Sequence, residues 1–207
     1  MPFIKELNSK IEKLENENIE LAKKVNYLMQ KDKDKVKKYD IFFKESNIIQ
    51  LENKKLIVKY LPNKPSKTKL LYDSKIDGDT AKAFHSKCDG KYPTIYIIET
   101  KTGYKFGGYL SQPWKSKNDY FEDNNAFFFS INLQKKYFFS NPKQVYYGNP
   151  DFGPVIRGGI NMDIRDEANS SSHFIYLDNE NQGSEYEING GNQNFNLQSY
   201  EVYQIEY

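Results

Sequence analysis

PTIYIIETKTGYKFGGYLSQPW, residues 93 to 114, is the stretch around which the rest of the chain is arranged. Thr94-Ile95-Tyr96-Ile97-Ile98 is β-branched and aromatic, the composition that fits a pleated, buried surface. Lys101-Thr102-Gly103 supplies a turn, with a glycine for positive φ. A second run, Tyr104 to Tyr109, completes a predicted β-hairpin that ends in Pro113-Trp114. Gly107 and Gly108 inside a strand weaken it, so they mark a bulge or a place where another group comes close. Trp114, the only tryptophan, follows six residues later and is large enough to fill such a gap.

Outward from the hairpin the pattern stays rich in short strands. Leu51 to Leu61 places Leu51, Ile57, Val58 and Leu61 on one helical face, and Pro62 ends it. Leu70-Leu71-Tyr72 reads as a strand. Asp79 or Thr80 caps a helix from Ala81 to about Lys87, stopped by Asp89-Gly90. Strands are predicted at 127–131, 137–139, 145–147, 160–164, 173–176 and 200–207, joined by Asn, Gly, Asp and Ser loops. The expectation is a mainly β (α+β) domain over 41–207: an antiparallel two-sheet β-sandwich with short flanking helices.

Residues 1–40 form a different region, a coiled coil and its linker. Between residues 3 and 38 there is neither glycine nor proline. Ile4, Ile11, Asn18 and Val25 fall at heptad position a, and Leu7, Leu14, Leu21 and Leu28 at d. β-Branched residues at a with leucine at d favour a parallel two-stranded coiled coil, and a single asparagine at a favours the same state. Lys10 at g faces Glu15 at e of a second copy, a pair worth only tenths of a kcal/mol. The alternative is a stripe packed onto the chain's own domain. Lys31-Asp32-Lys33-Asp34-Lys35 breaks the apolar register and reads as a frayed helix end or linker, with Val36 to Tyr39 continuing the helix weakly.

Composition bounds the function. A chain of 207 residues can bury a sizeable core, and 15% aromatics with a mean hydropathy of -0.83 fit a folded domain with no membrane insertion. Met1 to Lys5 leads straight into charged residues, so no secretory signal is expected. Cys88 is the only cysteine, which excludes an intrachain disulfide. These features place the chain in the cytoplasm, with the nucleus as the alternative. Asn169-Ser170-Ser171 is a glycosylation triplet that should stay unmodified there. The net charge of +2 hides an asymmetry: residues 41–120 carry fifteen lysines against eight acidic residues, whereas 161–207 carry one arginine against nine. The acidic third argues against a nucleic-acid surface wrapping the domain.

No catalytic constellation emerges. Asp151-Phe152-Gly153 spells the metal-binding triplet of protein kinases without the accompanying loops, and reads as a turn. Residues 178–183 imitate an EF-hand loop but lack its closing glutamate, and in Asp73 to Gly78 a lysine occupies a ligand position. With His85 and His173 the only histidines and one cysteine, neither a metal site nor a cofactor is expected. His85 and Cys88, three apart on a helix, are the chemistry for an activated thiolate, against the plainer reading of a small buried cysteine. Glu201 shares its strand face with Tyr203 and Ile205, so it should point toward the core, paired or hydrogen-bonded, with a raised pKa.

The hairpin PTIYII…GYKFGGYLSQPW resembles the signature of the TLDc domain family, which includes the oxidation-resistance proteins. The resemblance extends through Ser46-Asn47-Ile48-Ile49, Tyr60-Leu61-Pro62, Leu70-Leu71-Tyr72, Asp77-Gly78 and Phe84-His85 upstream. Downstream it continues through Ala126 to Ser130, Tyr146-Tyr147-Gly148, Gly158-Gly159 and Ser199 to Tyr203. Asn161 departs from it, standing where an acidic residue is expected. The resemblance implies two antiparallel sheets with short helices, a glutamate at Glu201, and no established catalytic mechanism. It also implies a protein-interaction role in oxidative-stress resistance, with peripheral subunits of the vacuolar proton-translocating ATPase as partners whose assembly is regulated. The competing expectations are an enzyme or small-ligand binder with Glu201 and His85 in a cleft, and a nuclear nucleic-acid-associated regulator using the basic stretch 54–105.

Overall fold

The computed structural model describes residues 2–169, 171–177 and 183–207, the side chains of 35–37 excepted. The EF-hand-like segment and the glycosylation triplet therefore lie wholly or partly outside the described residues. The chain divides into two units, Met1–Ile41 and Phe42–Tyr207.

The first unit is one helix, α1 (Pro2–Asp40). Its 39 residues extend about 58 Å at about 1.5 Å per residue. Ile4, Leu7, Ile11, Leu14, Leu21, Val25 and Leu28 are each 46–62% exposed, so the apolar stripe is wet along its length. The break expected at Lys31–Lys35 is absent, and the helix runs through it. The run contains no glycine or proline, and its alternating charges place opposite signs three residues apart on one face. The Gln30 amide also donates to Asp34 Oδ1 at 3.1 Å.

In the second unit α2 (Leu51–Tyr60) precedes β1 (Lys67–Asp73), and α3 (Ala81–Cys88) precedes the hairpin β2 (Thr94–Thr100) and β3 (Lys105–Leu110). Then follow β4 (Asp119–Phe121), β5 (Phe127–Ser130), β6 (Lys135–Phe138), β7 (Tyr146–Gly148) and β8 (Phe152–Ile156). β9 (Ile160–Arg165), β10 (Ser172–Leu177) and the long β11 (Asn194–Glu206) complete it. Every strand pair is antiparallel. One sheet runs β1-β11-β2-β3-β5-β6, the other β4-β7-β8-β9-β10-β11. β11 belongs to both: Asn194–Asn196 pair with β10, whereas Leu197–Gln204 pair with β2. The register slips between Leu197 and Ser199, a bulge at the point where the strand passes from one sheet to the other. The fold is thus sandwich-like and open-edged, as the strand pattern predicts.

The core lies between the sheets. Tyr96 and Ile98 of β2, Phe106 of β3 and Phe128 of β5 meet Ile156, Ile164 and Ile175 of the other sheet. The outer face of the first sheet is covered in turn by residues 42–61, where Phe42, Phe43, Ile48, Ile49, Ile57 and Leu61 are buried. This explains why β2 is buried on both faces and reads as a continuous apolar run. Asp151-Phe152-Gly153 is only partly a turn: Asp151 is in one, but Phe152 opens β8.

Candidate functional site

The glycine pair is not a bulge. β2 and β3 pair without a register shift, with Tyr96 opposite Gly108 and Ile97 opposite Gly107. A methyl group on Gly108 would collide with the Tyr96 ring and hydroxyl, and one on Gly107 with the Tyr96 carbonyl. The group filling the gap is therefore Tyr96; Trp114 sits one ring further on, edge-on to Tyr96 at 5.9 Å. Trp114 also touches Phe84 of α3 and Tyr146 of β7, each at 5.3 Å, so it joins helix and both sheets. Its indole Nε1 donates to Thr94 Oγ1 at 3.0 Å, satisfying the polar end of a buried ring.

Glu201 is 1% exposed and faces the covering segment, on the side away from the core between the sheets. Its Oε1 accepts from the Asn47 amide at 2.8 Å. Its Oε2 accepts from Ser46 Oγ at 2.6 Å and from the Tyr203 hydroxyl at 3.0 Å. Ser46 Oγ in turn accepts from the amides of Ile48 and Ile49. Burial pushes the Glu201 carboxyl above its ordinary value of 4.5, against the three donors, and the nearby Asp73 charge adds to the rise. Chemically this carboxylate is an acceptor that fastens residues 46–49 to β11.

His85 belongs to a separate network. Thr80 caps α3 by accepting from the Ala83 amide at 3.2 Å, and Asp166 Oδ1 accepts from the Ala81 amide at 2.6 Å. At the other end of α3, His85 Nε2 lies 2.8 Å from the Asn149 carbonyl and 2.9 Å from that of Phe152. Its Nδ1 lies 2.8 Å from Asp89 Oδ1, while Ser116 Oγ donates to Asp89 Oδ2 at 2.7 Å. Because a carboxylate, not the imidazole, touches the serine hydroxyl, His85 is not placed to take its proton. Asp89 and Ser116 line an open depression of about 300 Å³ with Gly90, Pro113, Trp114, Lys115 and Lys117. Cys88 is fully buried, and burial first, then the Asp89 and Asp77 charges, push its thiol well above the ordinary 9.0. The structure thus keeps this thiol protonated and gives His85 other partners. Glu201 and His85 share no hydrogen-bond partner: the first is bound by Ser46, Asn47 and Tyr203, the second lies against Asp89 and the carbonyls of Asn149 and Phe152.

His173 is also accounted for locally. It accepts from the Arg165 amide at Nδ1 and faces the Ala168 carbonyl at Nε2, 2.7 Å away, a neutral tautomer. Sequence reasoning missed Asp123, 1% exposed, which accepts from the amides of Ser111, Gln112 and Asn125 and from Ser111 Oγ. Its only trace in the sequence is its place before Asn124-Asn125, a turn-forming pair. Among the described residues no three His, Cys, Asp or Glu side chains are grouped to hold a metal ion. Several lysines of the basic stretch are paired: Lys55 with Glu52, Lys67 with Glu206, Lys87 with Asp77 and Lys105 with Glu99. No helix among the described residues is long and apolar enough to cross a membrane.

Against known proteins, the sequence profile of the TLDc domain matches residues 42–206. Similar curated proteins carry the name MTOR-associated protein MEAK7. That of Danio rerio is 30% identical over 63 residues, 30% of this chain and 14% of its own length. Those of Mus musculus and Xenopus laevis are 30% and 34% identical over 70 and 73 residues. These segments are 34% and 35% of this chain, but only 15% and 16% of the relatives' own lengths.

Proposed function

Since the chain belongs to the TLDc family through residues 42–206, we propose that it is a non-enzymatic interaction module which a coiled coil presents in duplicate. The observation that carries this reading is the wet stripe of α1: seven apolar residues at a and d, about half exposed, with Asn18 completing the repeat. A stripe of that regularity in water is stabilised by a second copy, and two Asn18 amides satisfy each other only when the helices are parallel and in register. The domain is built as a rigid presenter. Glu201, Trp114 and Asp123 are spent on fastening its parts together, and Cys88 is sealed.

The family resemblance supports a partner among the peripheral subunits of a vacuolar proton-translocating ATPase, with oxidative-stress resistance as the process. The relatives' name, MTOR-associated protein, supports a second partner, mTOR. A cytoplasmic location is consistent with both. The test is affinity purification from cell extract with the full chain and with a Leu14→Glu/Leu21→Glu variant. Recovery of ATPase peripheral subunits, reduced by the variant, supports the first partner; recovery of mTOR in their place supports the second. A monomeric wild-type chain in analytical ultracentrifugation overturns the duplicate presentation.

A further inference from the structure

The helix and its apolar seam differ in length. α1 is continuous to Asp40, yet the last apolar residue in the heptad register is Leu28. Carrying the register forward puts Asp32 at a, Lys35 at d and Tyr39 at a. In a parallel pair each a residue faces its own copy, and so does each d residue. Asp32 would then meet Asp32, a like-charge pair at a position that the seam needs apolar, and the sequence has a lysine instead of a leucine at the next d position. The first half has the opposite character, because Lys10 at g complements Glu15 at e of the second copy and no like-charged g–e pair arises over residues 3–29.

Building on the dimeric reading above, we infer that a second copy of this chain docks on residues 4–28 only, and that the two helices fork after Leu28. Residues 31–40 of each copy form a separate helical arm of roughly 15 Å, at about 1.5 Å per residue. The seam therefore does not clamp the two TLDc domains against each other. Each domain starts from its own arm, so the dimer fits a partner that offers two binding points, or two partner molecules at once.

Single cysteines on α1 test this in the full chain, because Cys88 is fully buried and its thiol stays protonated. Val25→Cys, Asp32→Cys and Tyr39→Cys occupy the same heptad position along one helix. Disulfide formation under mild oxidation is followed on non-reducing gels, with ultracentrifugation in parallel. The expected result is rapid cross-linking at 25 and about tenfold or more slower at 32 and 39, where the Cα atoms lie beyond bridging distance. In an Asp32→Leu/Lys35→Leu background, which extends the seam, the Tyr39→Cys pair should cross-link as fast as the pair at 25. Equal rates at all three positions in the wild-type background overturn the fork and leave the dimer intact. A dimer in which position 25 fails to cross-link overturns the parallel register. A monomer that cross-links nowhere overturns the dimeric reading itself.

Discussion

Gly108 lies directly beneath the ring of Tyr96, its partner across the β2–β3 ladder, and that ring is the floor on which Trp114 rests. A side chain at Gly108 has nowhere to go, because the ring above it is held by the indole and by Phe128. Gly108→Ala should cost at least the 1–3 kcal/mol typical of an overpacked core. Urea unfolding is the measurement, and a midpoint unchanged from the parent would refute the close approach.

The Tyr96 hydroxyl is fully buried and makes no hydrogen bond. Removing an unsatisfied buried polar atom without changing the shape relieves a desolvation cost. Tyr96→Phe is therefore expected to unfold at an equal or higher urea concentration, by up to about 1 kcal/mol. A marked loss of stability would mean that the hydroxyl has a partner.

Glu201→Gln keeps the volume but changes the donors. The amide nitrogen would face Ser46 Oγ, which already accepts two backbone bonds, and the Tyr203 hydroxyl. A loss of about 1–3 kcal/mol follows. It has a pH signature: the carboxyl is raised in the fold, so the native state holds its proton more tightly than the unfolded chain. The stability this group contributes is full below its ordinary 4.5 and declines as pH rises through the elevated native value. The deficit of the Gln variant should accordingly be greatest in acid and shrink toward neutral pH. A constant deficit across that range would contradict the assignment.

His173 runs the other way. Burial lowers its pKa below 6.5, so the unfolded chain takes up a proton that the native chain refuses. Its contribution is present above pH 6.5 and is lost as pH falls through the native value, at about 1.4 kcal/mol for each unit of depression. Thermal unfolding of the wild type and His173→Gln at pH 7.5 and 5.5 isolates it. The wild type should lose more stability on acidification than the variant, and parallel losses would assign the acid sensitivity elsewhere.

The hairpin was legible because a β-branched run, a turn glycine and a second run follow one another in twenty residues. The limits of α3 were legible because a cap residue and an Asp-Gly stop lie on either side. What lay hidden depended on distant partners. Nothing near Gly107-Gly108 says that Tyr96, not Trp114, covers them. Asn194–Asn196 look like loop yet serve as the first rungs of β11, because β10 is there to pair with. Glu201 was readable as buried from its alternation with Tyr203 and Ile205, but which layer it faces depends on residues 46–49, some 150 positions earlier. The Lys-Asp run suggested a break, since an apolar register ends there, yet the helix continues without it.

β11 is the hinge pin of the sandwich, entering one sheet at Asn194 and leaving through the other by Glu206. A ribosome making this chain releases the other ten described strands before the one that couples them. Until β11 emerges, β1 has no neighbour in either sheet and the edges of β2 and β10 that it pairs with stand open. Nascent chains of this domain thus have a long interval of exposed, half-built edges. Unpaired edges of that kind are templates on which another chain can pair.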